Sequence, residues 1–435
     1  MRIFTFVSDM GGPYRLRVEQ PMRALKRFGI THAHGVVIPS ENNAPGPSLN
    51  ALINMLSGFD ICILQRVTSL PITQMVKNAC HFLDIPLILE FDDDYINLPK
   101  NNPCFYGTAI DNPLLEQIRR LSALGQEAAV QELMPQLEFS RLQGLEELKQ
   151  AISLYDAVTT TTEELAQVYR PYNKNIEVFP NQMERVHYFR DYTIEETDSE
   201  GRLKPPEGKL GMHSIPAFWP SRDEKGIPRH DLPLNRIVRV GYTGTSSHGD
   251  DFRTVEDSWV KLTKNYADKC WFTYIGDPYF FDKQVDHRGR RQFIQPTESY
   301  DKYLSNVRNL DVGIAPLDVR EPFNMSKSDL KALEYASWGI PAVLPGFITY
   351  SRTFTHNENC LMYNNKKEFY QCLEAYINDP ALRFKHGNAA RELVGSTRLE
   401  DQHAERRANF YAATIAAKKK SQRFTPNKET AVVQG

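Results

Sequence analysis

Residues 311–344, DVGIAPLDVREPFNMSKSDLKALEYASWGIPAVL, constrain this chain more than any other stretch. Val312 to Pro316 is a short apolar run that reads as a buried strand, and Glu321 to Met325 reads as a loop. Ser326 with Asp329 three residues on gives a capping-box-like helix start. From there Lys327, Lys331 and Glu334 fall at i, i+4 and i+7 on one face. Leu330, Leu333 and Ser337 lie on another, with the two leucines facing inward. Gly339 ends the helix, Pro341 forbids its continuation, and Ala342 to Leu344 opens the next buried strand. A strand–helix–strand unit with a cationic first turn suits a nucleotide diphosphate. Backbone N–H groups and the dipole end at Ser326, Lys327 and Ser328 favour an anion, and Lys327 adds a point charge. Glu334, deeper on the same face, is placed to accept hydrogen bonds from a ribose. The competing reading is an ordinary amphipathic helix whose lysines are solvated.

The stretch resembles the nucleotide half-site of family 4-like (group 1) glycosyltransferases. That family has a Glu-x7-Glu motif at this helix; here the second Glu matches Glu334, while Ser326 stands where the first would be. Phe323-Asn324 followed by Lys327-Ser328-x-x-Lys331-x-x-Glu334-Tyr335 resembles a subgroup of the same superfamily. The resemblance implies an α/β chain of the GT-B fold, two Rossmann-like doubly wound domains facing a central cleft. It also implies a UDP- or GDP-sugar donor on the second domain and an acceptor surface on the first. Retention of anomeric configuration, no metal and no tightly bound cofactor follow from the same source. The missing first Glu keeps open a GT-B-shaped binding protein without catalysis.

At 435 residues the chain has room for two such domains. A net charge of −2 leaves no global electrostatic footprint for nucleic acid, although a local basic patch stays open. Cys62, Cys80, Cys104, Cys270, Cys360 and Cys372 form no CxxC pair, so free thiols in a reducing compartment are expected. MRIFTFVSDMGG is too quickly polar for a signal peptide, and no apolar run approaches the ~20 residues of a membrane span. The expected location is cytoplasmic, with peripheral membrane contact left open.

The first strand, Ile3 to Val7, leads to Asp9-Met10-Gly11-Gly12-Pro13 and a helix from about Arg17 to Phe28, without GxGxxG. Gly12 would let a ligand approach the backbone, and Arg15 and Arg17 sit where a phosphate could be gripped; a tight turn with solvated arginines is the alternative. His32 and His34 read as loop histidines before a strand at Val36 to Pro39. Pro86 to Phe91 is a strongly apolar strand running into Asp92, Asp93 and Asp94, carboxylates placed to orient acceptor or sugar hydroxyls, act as a base or hold a divalent ion, or else to cap the next turn. Residues 100–155 read as a helical insertion with a break at Pro135. The segment DAVTTTTEELAQVYRPYNKNIEVFPNQM resembles the close of a GT-B N-terminal domain, setting that domain at 1–183.

Residues 184–235 read as linker and surface insertion, with Trp219 a packing residue or an acceptor platform. The second domain, 236–395, opens with a strand at Ile237 to Val240. There Gly244, Thr245 and Ser246 offer donors to phosphate oxygens, and His248 reads as structural. Ile294 and Gln295 are candidates for the base. A terminal helix at 396–417 is expected to cross back to the first domain, ahead of a basic tail at 418–435. The acceptor is expected to be a glycan, a lipid-linked sugar or another cell-surface precursor. A modified DNA base is the alternative, for which the two insertions leave room and the near-neutral charge argues against.

Overall fold

The computed structural model describes residues 1–8, 10–36, 47–100, 102, 104–106, 113–185, 238–244, 248–276, 290–294 and 300–423. Thr245, Ser246, Trp219, Gln295 and the tail from 424 lie outside these. The chain divides into two compact units. One comprises Met1–Asp92, Cys104–Phe179 and His403–Gly435; the other comprises Asp93–Pro103 and Pro180–Gln402.

In the first unit, six described strands form a parallel sheet: β1 (Arg2–Val7), β2 (Thr31–Val36), β3 (Ile61–Gln65), β4 (Leu87–Glu90), β5 (Ala157–Thr160) and β6 (Ile176–Val178), in the order β2-β1-β3-β4-β5-β6. β3, β4 and β5 are buried along their whole length, which is why they read as unbroken apolar runs. Two expectations are corrected here. β2 begins at Thr31, so His32 and His34 lie in an edge strand rather than a loop, stacked 5.8 Å apart, with His32 Nε2 3.1 Å from Thr5 Oγ1. Burial, with His34 adding to it, lowers the His32 pKa to about 4. The helix after β1 begins at Gly12, not Arg17, because Pro13 is preset for a first turn. It passes through a π-helical turn at Arg15–Glu19 before Gln20–Leu25.

That register drives Arg17 inward. Its Nε donates to Glu90 Oε1 at 2.8 Å and its Nη1 to the Phe179 carbonyl at 2.7 Å, so it is an internal cross-brace and not a phosphate ligand. Pro135 does not break the helix Glu127–Ser153; one missing N–H is tolerated within 27 residues. Among the described residues no helix is long and apolar enough to cross a membrane, and the six cysteines are free thiols.

The second unit repeats the plan with β7 (Val238–Gly244), β8 (Cys270–Gly276), β9 (Arg290–Ile294), β10 (Val312–Ile314), β11 (Ala342–Pro345) and β12 (Leu361–Tyr363), parallel in the order β12-β11-β10-β7-β8-β9. The order reverses between β7 and β10, and doubly wound sheets bind ligands beyond the strand ends at such a point. Gly313 in β10 is fixed by its neighbour: a Cβ there would lie 2.5 Å from the Tyr335 ring. That ring cannot retreat, since its hydroxyl donates to the Ile314 carbonyl at 3.0 Å and so accepts from Thr243 at 3.1 Å. Gly313→Ala is therefore expected to lower stability by roughly 1–3 kcal/mol in urea denaturation. No loss would mean that the Tyr335 anchor is loose.

Candidate functional site

The organising stretch folds differently at its start from the sequence expectation. Pro322–Met325 is a helical turn, closed by Ser326 Oγ donating to the Phe323 carbonyl at 2.9 Å. The main helix runs Leu330–Ser337 with Asp329 at its N-cap position. Asp329 is spoken for by Arg398, at 2.8 Å to each oxygen, and by Thr353 at 2.5 Å. Ser326 is thus internal to the turn, and Ser328 Oγ accepts from Asn181 at 2.8 Å. At the far end Gly339 takes a left-handed φ of 66° and the Ile340 N–H returns to the Tyr335 carbonyl, a glycine-dependent stop.

Lys327 therefore precedes the helix and does not share a helix face with Lys331 and Glu334. The two lysines meet through a third residue. Lys331 Nζ is 3.0 Å from His248 Nε2, and Lys327 Nζ is 3.3 Å from His248 Nδ1. His248 Nδ1 also lies 2.8 Å from Asp251 Oδ2. Only one tautomer serves these neighbours: Nδ1–H donates to the carboxylate, and Nε2 accepts from the Lys331 ammonium. Lys327 then answers Asp251, at 3.9 Å, and lies 4.9 Å over the Phe323 ring. Asp251 Oδ1 accepts from the Asp318 N–H at 2.8 Å and from Asn324 Nδ2 at 2.7 Å, which ties three chain segments together.

The electrostatics follow from this packing. Burial, reinforced by Lys327 and Lys331, lowers His248 to about 3, so the imidazole is neutral. Burial works to raise Asp251, but the His248 bond and Lys327 outweigh it and hold the carboxyl near 2. Burial, with Lys327 adding to it, brings Lys331 down to about 8, against Asp251, Glu334 and Asp93, which favour the ammonium. Glu334 is pushed up to about 7 by burial, against hydrogen bonds from Tyr303 at 2.7 Å and Tyr300 at 2.9 Å.

The three aspartates after β4 part company. Asp92 pairs with Arg66 at 3.4 Å in the first unit. Asp94 is buried and accepts from the Ile96 and Asn97 N–H groups and the Asn97 side chain, so it caps its own turn and is no base. Asp93 is the one within electrostatic reach of Lys331. Arg15 pairs with Glu19 at 2.6 Å on its own helix, and Gly12 has open space where a Cβ would stand. Gly244 closes over Tyr242, whose hydroxyl would be 2.5 Å from a Cβ there. Among the described residues no group of three or more His, Cys, Asp or Glu could hold a metal ion. The sequence reading missed Asp251 and undervalued His248; the His-x-x-Asp spacing just after the Gly244 loop was the available signal.

Residues 262–413 match the family model described as glycosyl transferase-like. Similar solved structures include HepE from Anabaena in complex with UDP (10% identity, 95% of this chain and 100% of that one, TM-score 0.56). Sucrose-phosphate synthase from Thermosynechococcus elongatus matches at 14% identity over 96% of this chain and 100% of that one, TM-score 0.56. A glycosyltransferase from Rickettsia africae matches at 12% identity over 95% and 98%, TM-score 0.57. No curated protein sequence matches the chain. Residues 262–413 are thus glycosyl transferase-like, and the whole chain shares the two-sheet GT-B fold of these solved structures.

Proposed function

We propose that the chain transfers a sugar from a UDP-sugar to an acceptor hydroxyl, with retention of configuration and without metal, the acceptor being a glycan, a lipid-linked sugar or another cell-surface precursor. The observation that carries this reading is the pair of lysines converging on His248 at the switch point between β7 and β10. Breaking the bond to the anomeric carbon leaves growing negative charge on a diphosphate, and ammonium groups already in place stabilise it without reorganising. Burial lowers Lys331 to about 8, so near neutral pH it is mostly the ammonium, and an arriving phosphate tightens its hold on the proton. Glu334, carried by Tyr300 and Tyr303, is the ribose acceptor in this reading. Asp93 is the candidate to orient the acceptor hydroxyl. HepE, of the same fold, has been solved with UDP and with UDP-glucose, which supports the choice of donor.

The test is a thermal-shift panel of UDP, GDP, dTDP and ADP on the full chain. A nucleotide at a hundred times its Kd adds about 2.7 kcal/mol of apparent stability. UDP is expected to give the largest shift, and detectable UDP release from UDP-glucose would separate an enzyme from a binding protein. The absence of any shift with all four at millimolar concentration would end the reading.

A further inference from the structure

The sheet of the first unit has a reversal of its own. β1 stands between β2 and β3, so the chain passes to one side of β1 and then returns to the other. The edge beyond the carboxyl ends of β1 and β3 is where such a sheet takes a ligand. Arg66 is the first residue beyond β3, and Asp92 stands two residues beyond the neighbouring strand β4.

Three observations set this pair apart from ordinary surface charges. Arg66 holds a left-handed φ of 57°, a conformation that a Cβ resists and glycine adopts freely. Its N–H still bonds the Glu90 carbonyl at 3.0 Å, and Val67 after it is buried, so the chain is anchored on both sides of the strained residue. Glycine would serve the turn alone better, which points to a use for the guanidinium. Asp92 meets that guanidinium without closing it off. Arg66 Nε lies 3.4 Å from Asp92 Oδ1, long for a charge-assisted bond, and the two side chains are 22% and 16% exposed. Arg17 and Glu90, by contrast, meet at 2.8 Å with 2% and 4% exposed. Oδ1 is the covered oxygen of Asp92, so the exposed part of that side chain lies away from the arginine contact. Asp92 is also fixed by its backbone. Phe91 before it is buried and donates to the Thr159 carbonyl at 3.0 Å, and the Asp92 carbonyl accepts from Thr161 Oγ1 at 3.3 Å.

A guanidinium and a carboxylate side by side are selective. A neutral sugar with adjacent hydroxyls can donate to the carboxylate and accept from the guanidinium at once. A phosphate or a uronic carboxylate would have to share the guanidinium with Asp92 and stand against its charge.

We infer that Arg66 and Asp92 bind the acceptor in the first unit through two adjacent hydroxyls of a neutral sugar, Arg66 donating to one and Asp92 Oδ2 accepting from the other. The inference rests on reading the chain as a sugar transferase whose donor sits in the second unit.

The test is saturation-transfer NMR on the full chain with UDP bound. The probes are the methyl glycosides of glucose, galactose and mannose and free N-acetylglucosamine, set against glucose 6-phosphate and glucuronic acid. Arg66→Gly suits the left-handed backbone and removes only the side chain; Asp92→Asn keeps the shape and removes the charge. Saturation transfer to at least one neutral sugar is expected, stronger than to either anion and falling roughly tenfold in each variant. UDP affinity by calorimetry and the urea midpoint of Arg66→Gly are expected to match the wild type. Neutral-sugar signals equal in all three proteins, or absent from the wild type, would overturn the inference and leave the donor reading standing. So would stronger transfer to the anions, which would make this an anion site. An Arg66→Gly protein that unfolds at clearly lower urea yet binds sugar normally would make Arg66 a structural brace, and one that loses UDP affinity would make it a donor contact; either result overturns the inference. Failure of the wild type to bind UDP would refute the donor reading and take this inference down with it.

Discussion

Lys331→Met is expected to weaken UDP binding by roughly 10–100-fold near neutral pH, the worth of one charged hydrogen bond to phosphate. Methionine keeps the stem that packs in the helix and removes only the charge. The pH profile gives the sharper test. An anion needs the ammonium form, and Lys331 in the free protein titrates at about 8. Below that value the wild type binds with its full charge. As pH rises through it, the free protein sheds the proton and wild-type affinity declines toward that of the variant. Calorimetric titrations at neutral and alkaline pH are expected to show the gap closing. Two parallel profiles would place the diphosphate away from Lys331.

Arg17→Met is expected to cost roughly 3–5 kcal/mol of stability, because it strands a buried carboxylate. Glu90 is 3% exposed, and its partners besides Arg17 include the Thr159 hydroxyl. The companion Arg17→Met/Glu90→Gln removes both charges, and urea denaturation is expected to show it recovering more than half of the loss. If the single change cost under about 1 kcal/mol, water would have to reach Glu90 freely.

What the sequence disclosed depended on how far apart the interacting residues are. Pro86 to Phe91 and Val312 to Pro316 announce their strands because parallel strands covered on both faces are apolar throughout. Gly339 announces a helix stop because only the local backbone is involved. Ser326 misled because Pro322 starts a turn of its own four residues earlier and takes up the serine hydroxyl within it. Arg17 looked like a surface ligand because Glu90 and Phe179, which bury it, are 73 and 162 residues away. His248 and Asp251 were illegible for the same reason: their partners Asp318, Asn324, Lys327 and Lys331 lie 67 to 83 residues along the chain. Asn324 and Lys331 were visible as a spacing, and only the folded sheet shows that the spacing serves a histidine.

Asp251 keeps its negative charge down to about pH 2 and stands 3.9 Å from Lys327, so one cation of the pair is already answered when the pocket is vacant. In the proposed reading, a spent nucleotide leaving such a pocket does not strand two naked ammoniums; the aspartate and the imidazole take them back. The grip is thereby capped, and product escape is eased by the same group that keeps the lysines in position between turnovers.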